Sequence, residues 1–236
     1  MAQPTFTRTA DPYRDLDVID ARGPRFNQAT IATLSLLAFV TGWWPLLGLL
    51  ALQLGVGLAF GRRWCLPCLF YFEVVQPRLG EGPIEDARPP RFANLVGFIV
   101  LGAATAAHAL GLSALGWALG LLVAALALLA ASTGLCVGCE MYRIGARLRN
   151  LRSHRLARIE VADLGTAPAE RFVVEFTHPL CTDCGALERR LAAAGHRVVT
   201  VDVRRRPDLA RKYGVAVVPT AVAVTRGGEV TALLAG

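Results

Sequence analysis

The residues best suited to chemistry in this sequence are its six cysteines, which all fall into C-x-x-C pairs. The pairs are Cys65/Cys68, Cys136/Cys139 and Cys181/Cys184. Scattered structural cysteines would not share this spacing, which proteins use for metal ligation and for dithiol redox chemistry. The sequence therefore predicts redox or metal-binding chemistry at three places in the chain.

Two stretches without charged residues lead up to the first two pairs, the first ending shortly before Cys65 and the second ending at Cys139. Residues 26–61 and 92–139 contain no Asp, Glu, Lys or Arg, in a chain whose charged fraction is only 18%. Each stretch is far longer than the ~20 residues that cross a bilayer, and a break containing Gly or Pro interrupts it. We therefore expect two helical hairpins. The alternative is that each stretch crosses once, which would place residues 62–91 with their five arginines outside the cell. The four expected membrane spans lie at about 27–41, 45–61, 94–110 and 114–135.

The net charge of +7 comes almost wholly from arginines outside these stretches. They precede the first hairpin, lie between the hairpins and follow the second, whereas the two tight turns carry none. Because Lys and Arg are retained on the cytoplasmic side, we expect a multi-pass membrane protein with both termini and the loop between the hairpins in the cytoplasm. No basic stretch is interleaved with aromatic residues, so the expected partner is the lipid bilayer and not nucleic acid.

The two hairpins resemble each other in sequence. Pro-Arg-Phe precedes each of them, at 24–26 and 90–92, and each ends in C-x-x-C followed by a tyrosine three residues later. A parallel duplication of this kind predicts that Cys65/Cys68 and Cys136/Cys139 lie at the same membrane face.

Residues 15–145 also resemble the DUF4395 family of bacterial membrane proteins. The resemblance rests on DARGPRFNQ (20–28), CLPC (65–68), ED (85–86), PRFA (90–93) and CVGC (136–139). It implies a membrane topology, and with the charge distribution it leads us to expect the bacterial cytoplasmic (inner) membrane. It implies no activity because none is established for that family.

The residue pattern in the last third of the chain predicts alternating strands and helices. Residues 171–234 resemble the thioredoxin family, through VEF (174–176), CTDC (181–184), YGV (213–215) and VPT (218–220). The resemblance implies that Cys181 and Cys184 are the redox pair, that Pro219 is a cis proline facing their disulfide, and that Glu175 relays the proton of the resolving thiol. On the residues alone, Glu175 could equally face water at a sheet edge.

The expected fold class is thus an α-helical membrane domain of two helical hairpins with four spans, followed by an α/β thioredoxin-like domain that lacks the last helix of that fold. We expect a cytoplasmic N-terminal segment at 1–25, the membrane domain with its duplicated hairpin units at 26–142, a linker at 143–170 and the thioredoxin-like domain at 171–236.

The chemistry expected at the third pair follows from its place at the start of a helix. Unpaired N–H groups and the helix dipole there favour a thiolate at Cys181. This thiolate would attack a disulfide, and Cys184 would resolve the mixed disulfide. Asp183 adds a negative charge beside the sulfur, which favours a reducing poise.

The four cysteines of the hairpins allow three interpretations. They could exchange electrons with Cys181/Cys184, since a tethered domain meets its partner at about millimolar effective concentration. They could instead hold one zinc ion, because two C-x-x-C pairs make a tetrahedral site. They could also simply pack helix ends. Dithiol exchange itself requires no cofactor, whereas the second interpretation requires zinc.

Two polar residues within the predicted spans, Gln53 and His108, are expected to make interhelical hydrogen bonds. For His108, a proton relay or a quinone contact is the alternative. The favoured function is a membrane-bound thiol–disulfide oxidoreductase that acts on protein thiols or disulfides and exchanges electrons among its own C-x-x-C pairs at the cytoplasmic membrane face. The alternative is a zinc-stabilised membrane scaffold or transporter that carries a thioredoxin-like module for binding or regulation.

Overall fold

The computed structural model describes residues 10–153, 156–165 and 169–235. Expectations for residues 1–9, for 154–155 and 166–168 of the linker, and for Gly236 lie outside the described residues. The chain forms two compact units. We call Asp11–Gly82 with Ala87–Tyr142 the helical unit, and Pro83–Asp86 with Arg143–Gly236 the C-terminal unit.

The helical unit contains four long helices and several short elements between them. In chain order these are β1 (Val18–Asp20), α1 (Arg22–Thr41), α2 (Pro45–Phe60), α3 (Leu66–Phe70), α4 (Gln76–Leu79), α5 (Arg88–Ala109) and α6 (Ser113–Thr133). A 3₁₀ turn at Arg62–Trp64 precedes α3, and a π-helical stretch at Tyr71–Val75 joins α3 to α4.

The long helices form two successive helix–turn–helix pairs, which break where the sequence predicts. Gly42 ends α1 in the left-handed conformation, at φ 70°, and Pro45 begins α2. Glycine has no Cβ to oppose that conformation, and proline suits a first turn because the N–H it lacks has no helical partner there. Across the pairs, α1 packs against α6 and α2 packs against α5. If α1 and α2 are exchanged with α5 and α6, the α1–α6 contact becomes the α5–α2 contact, as a duplication requires.

The expectation of four membrane spans is wrong. Among the described helices, only α5, with 22 residues, and α6, with 21, are long and apolar enough to cross a membrane. α2 has 16 residues, and at 1.5 Å per residue it is about 24 Å long, short of the ~30 Å hydrocarbon core. α1 reaches 20 residues only by including Arg22 and Arg25 in its first turns. The length of an uncharged stretch overstates the length of its helices, because turn residues occupy part of the stretch.

The C-terminal unit is the α/β region that the sequence predicts. Its elements are β2 (Ile84–Asp86), the part of α7 (Val137–Ser153) from Arg143 onward, β3 (Arg171–Thr177), α8 (Thr182–Ala193), β4 (Val198–Asp202), α9 (Pro207–Lys212), β5 (Thr220–Thr225) and β6 (Val230–Ala235). The expected linker contributes to this unit, since Leu156 and Ile159 pack into its core.

The four-stranded sheet has the order β4-β3-β5-β6. β3 runs parallel to β4, with Val173 opposite Val198, and antiparallel to β5, with Phe176 opposite Thr220. β6 is antiparallel to β5. Parallel neighbours need a crossover connection, and α8 lies between β3 and β4 in the chain. β3 is therefore a central strand, and its side chains enter the cores on both faces of the sheet.

Alternation along β3 decides which core each side chain enters. One core takes Phe172, Val174 and Phe176 and also contains both cysteines of the third pair. The other core takes Val173 together with Leu191 of α8. Glu175 shares the face of Val173, so its carboxylate is directed toward α8 and not toward water at a sheet edge.

Candidate functional site

All three C-x-x-C pairs begin a helix. Cys65 immediately precedes α3, Cys136 precedes α7 and Cys181 precedes α8. The carbonyl oxygen of each accepts a hydrogen bond from the N–H four residues later, at 2.8, 3.0 and 3.5 Å respectively. The first sulfur of each pair therefore lies at the positive end of a helix, where a thiolate is favoured over a thiol.

The third pair is a disulfide that solvent barely reaches. Cys181 and Cys184 are bonded, with their Cα atoms 5.4 Å apart, and they are 6% and 1% exposed. The backbone N–H of Cys184 donates to Cys181 Sγ at 3.2 Å. When the disulfide opens, this N–H and the start of α8 are already in place to stabilise a negative sulfur at Cys181.

Pro219 follows the only cis peptide bond among the described residues, Val218–Pro219. Val218 packs in the same core as both cysteines of the third pair. Its N–H donates to Asp86 Oδ2 at 3.1 Å, and the N–H of Ile84 donates to Thr182 Oγ1 at 2.9 Å. Two residues along a strand span only about 7 Å. The start of α8 and the residue before the cis proline therefore flank one short segment of chain.

Glu175 is completely buried, at 0% exposed. Neither of its carboxylate oxygens has a hydrogen-bond partner among the described residues. Burial, together with the charge of Glu188 on α8, raises the pKa of Glu175 to about 7. A carboxyl group with this pKa can both take up and release a proton near neutral pH.

The first pair is also a disulfide, and it lines a cavity in the helical unit. Cys65 and Cys68 are bonded with their Cα atoms 5.2 Å apart. The cavity holds about 90 Å³ and is lined mainly by apolar side chains of α1, α2 and α5, with the amides of Asn27, Gln53 and Asn94 among them.

Two sets of hydrogen bonds fix the chain on either side of this disulfide. Before it, the guanidinium of Arg62 donates to backbone carbonyls between residues 12 and 18, at 2.6 to 3.3 Å. After it, the carboxylate of Asp20 accepts hydrogen bonds at 3.0 to 3.1 Å from Tyr71, Gln76 and Gly82. These contacts join the segment before α1 to both ends of the α3 region, and they position Cys65 and Cys68.

The second pair consists of free thiols at the start of α7. Cys136 Sγ accepts hydrogen bonds from Gln28 Nε2 and from the N–H of Cys139, both at 3.3 Å. The pKa of Cys136 is lowered to about 6, mainly by the side chain of Cys139. Backbone N–H groups and Gln28 also lower this pKa, whereas burial raises it. The lowered pKa favours the thiolate form of Cys136 near neutral pH and makes Cys136 the better nucleophile of the two free cysteines.

Gln28 is a residue of the candidate site that sequence reasoning missed. It belongs to the DARGPRFNQ segment on which the family resemblance rests, but it lies 108 positions before Cys136, and nothing local connects the two residues.

The structure brings the first two pairs to neighbouring cavities of the helical unit. Cys136 lines a second cavity of about 110 Å³, and Leu54 and Asn94 line both. Asn27 donates to Asn94 at 3.4 Å between them. The structure does not gather the cysteines of these pairs into a zinc site. Within the described ranges, no three His, Cys, Asp or Glu side chains are grouped so that they could hold a metal ion.

Gln53 and His108 do not make the hydrogen bonds expected of them. Gln53 Nε2 and His108 Nε2 are buried without a partner among the described residues. The His108 ring instead stacks on Trp44, at 5.6 Å between centroids, and meets Trp117 edge-on at 4.6 Å. Aromatic packing therefore holds this histidine.

These features define a class of protein in which a helical unit with two dithiol pairs precedes an α/β unit with a third. Residues 19–147 match the family described as "Domain of unknown function (DUF4395)". The match covers more than half of the 236 residues, so the chain belongs to the DUF4395 family. No curated protein and no solved structure matches the chain.

Proposed function

We propose that this protein is a membrane-bound thiol–disulfide oxidoreductase whose C-terminal unit is a thioredoxin-like domain. The observation that carries the proposal is the Cys181–Cys184 disulfide at the start of α8, in the same core as the residue before the cis proline Pro219. A strand, a C-x-x-C helix, a parallel strand, a short helix and an antiparallel hairpin follow one another in this unit. The sulfur chemistry and the element order favour the same assignment.

The proposed reaction is electron exchange between this pair and the cysteines of the helical unit. A Cys181 thiolate attacks one sulfur of the Cys65–Cys68 disulfide, forms a mixed disulfide and releases the other sulfur as a thiolate. Cys184 then attacks Cys181 and completes the transfer of two electrons. The products are a Cys181–Cys184 disulfide and a Cys65/Cys68 dithiol, and each step is reversible.

Glu175 is proposed to manage the proton of this exchange. Cys184 must lose a proton before it attacks. It lies in the first turn of α8, the helix that packs on the Glu175 face of β3 through Leu191, whereas the Cys184 side chain itself packs in the core on the opposite face. Because the pKa of Glu175 is raised to about 7 by burial and by Glu188, its carboxylate is available as a base near neutral pH. The Cys136 thiolate is proposed as a second nucleophile toward the Cys65–Cys68 disulfide.

The membrane part of the proposal rests on α5 and α6. Only 22% and 28% of their most apolar windows are buried inside the protein, so lipid is the solvent that suits their remaining apolar surface. Arg88 and Arg91 open α5 and Arg143 follows α6, whereas the turn between the two helices carries no charge. Arginine on one side only favours a hairpin inserted from the cytoplasm of a bacterial cell, with the C-terminal unit on that side.

A trapping experiment tests the exchange. In full-length Cys184→Ser protein, Cys181 has no resolving partner, so a mixed disulfide with a cysteine of the helical unit should accumulate under mild oxidation. Peptide mass spectrometry without reduction identifies the linked residue. The Cys181→Ser protein is the matched control and should form no such link.

Two outcomes would contradict the proposal. One is a Cys184→Ser protein in which Cys181 stays unlinked to all four cysteines of the helical unit. The other is purified protein that contains one zinc per chain and whose helical-unit cysteines resist alkylation until the metal is chelated. The second outcome would favour the scaffold with a structural Cys₄ site.

A further inference from the structure

Residues 83–86 belong to a different unit from their neighbours in the chain. They lie between α4 and α5 in sequence, yet they are part of the C-terminal unit, whereas Gly82 and Ala87 are part of the helical unit. Within this segment Ile84–Asp86 forms β2, and Ile84 and Asp86 are 5% and 6% exposed. A buried, extended segment that carries a carboxylate needs partners for its polar groups.

Those partners lie on both sides of the Cys181–Cys184 disulfide. The N–H of Ile84 donates to the hydroxyl of Thr182, the residue after Cys181, at 2.9 Å. The carboxylate of Asp86 accepts from the N–H of Val218, the residue before Pro219, at 3.1 Å in a buried contact. The segment is thus bonded to the start of α8 and to the cis-proline loop at the same time.

The disulfide beside this segment is closed to solvent, since Cys181 is only 6% exposed. Thiol–disulfide exchange requires an attacking thiolate to reach a sulfur, so its rate depends on access. A buried N–H without an acceptor is costly. The hydrogen bond from Val218 N–H to Asp86 therefore keeps residues 83–86 in place until another acceptor replaces Asp86.

We propose that residues 83–86 are a displaceable cover, which occupies the surface where an extended polypeptide substrate binds beside the Cys181–Cys184 disulfide. The incoming segment presents a backbone N–H to Thr182 and an acidic or carbonyl oxygen to Val218 N–H, which replaces both hydrogen bonds of the cover. Opening is therefore coupled to the arrival of a polypeptide. This inference rests on the proposed redox function and adds its substrate class and its control.

The test measures how fast a small reductant opens the disulfide. Full-length protein is given a timed exposure to dithiothreitol, quenched with an alkylating agent and digested, and the alkylated fraction of the Cys181 peptide is followed. Asp86→Ala and Thr182→Val each remove one hydrogen bond of the cover, and each should speed reduction by roughly three- to tenfold. Thr182→Val keeps the fold because Thr182 lies in the exposed first turn of α8.

Matched controls are available in the same unit. Asp208→Ala removes an exposed carboxylate that pairs with Arg206, and Thr231→Val removes an exposed hydroxyl that donates to Ala223. Neither should change the rate. A second measurement adds back the peptide Gly-Pro-Ile-Glu-Asp-Ala, residues 82–87, to Asp86→Ala protein. The peptide should slow reduction again, and the same peptide with alanine in place of its aspartate should not.

The cover is overturned if both Asp86→Ala and Thr182→Val reduce at the wild-type rate. That result leaves the proposed function standing, because the trapping of Cys181 does not depend on the cover. Faster reduction in the two variants together with a failed trapping experiment would support the cover and contradict the proposed exchange with the helical unit. Cys181 and Cys184 would then exchange electrons with other partners.

Discussion

Cys136 of the helical unit and Cys181 of the C-terminal unit occupy the same local position. Each immediately precedes a helix, and each sulfur accepts a hydrogen bond from the N–H three residues later, at 3.3 and 3.2 Å. Cys136 nevertheless is a free thiol, whereas Cys181 is in a disulfide. A shared helix start therefore does not by itself decide the chemistry of the pair.

The surroundings of the two sulfurs differ in three ways. Gln28, which lies on α1 and is distant from Cys136 only in sequence, donates a second hydrogen bond to Cys136. The residue before the second cysteine is Gly138 in one pair and the acidic Asp183 in the other. The Cys181 pair also shares its unit with the buried Glu175. Neutral hydrogen-bond donors therefore favour a thiolate at Cys136, whereas the negative charge of Asp183 disfavours one at Cys181.

The largest expected effect concerns Glu175. Its raised pKa means that folding favours the protonated form, so the stability it contributes is full below the unfolded pKa of 4.5 and is lost as the pH rises through about 7. Glu175→Gln removes this loss. The stability of the variant relative to wild type should therefore grow between pH 5 and pH 8, by about 2 to 3 kcal/mol.

Hydrogen exchange of peptides from β3 and β5 in the full-length protein measures this stability. Glu188→Gln is the matched control, because it removes only the smaller cause of the shift and should produce a much smaller change. An equal effect of Glu175→Gln at pH 5 and pH 8 would mean that the carboxylate does not titrate in this range, and its role as a proton carrier would be lost.

The second prediction concerns Cys139, whose side chain most stabilises the Cys136 thiolate. The side chain of Cys139 makes the largest contribution to the lowered pKa of Cys136. Cys139→Ala should therefore slow the alkylation of Cys136 by iodoacetamide at pH 7 by about tenfold, because the thiol form then dominates. Cys139→Ser retains a donor and should restore most of the rate. Unchanged alkylation in the alanine variant would leave the helix start and the hydrogen bond from Gln28 as the causes of the low pKa of Cys136.

The helix boundaries of this protein were largely predictable because they depend on local residues. The breaks at Gly42 and Gly111 follow from glycine in the left-handed conformation, and each C-x-x-C lies where a helix begins. The number of spans was not predictable from charge alone. A 36-residue uncharged stretch looks like two crossings, but its helices are divided by a turn and one of them begins among arginines.

The parts of the site that escaped prediction depend on contacts between distant residues. Gln28 reaches Cys136 across 108 positions, and Asp86 reaches Val218 across 132. Neither contact has a local periodicity or spacing to reveal it. Glu175 is an intermediate case, since alternation along β3 assigns its face, but only the order of strands makes β3 central and the carboxylate buried.

The third prediction tests the donor that distinguishes Cys136 from Cys181. Gln28→Leu keeps the size of the side chain but removes its hydrogen bond to Cys136. Because Gln28 contributes less to the lowered pKa than Cys139 does, alkylation of Cys136 at pH 7 should fall by only about two- to threefold. Gln53→Leu removes an amide that lines the other cavity and should have no effect. A fall of the same size in both variants would point to general loosening of the helices.

The smallest expected effect is at Asp183, the acidic counterpart of Gly138. Asp183 is exposed in the first turn of α8, so water screens its charge, and its influence on the Cys181 sulfur should be modest. In pre-reduced protein, Asp183→Asn should speed alkylation of Cys181 by about two- to threefold at low salt and by less at high salt. Asp208→Asn, which removes another exposed carboxylate of the same unit, is the control. If Asp183→Asn has no effect at either ionic strength, the acidic residue does not account for the difference between the two pairs.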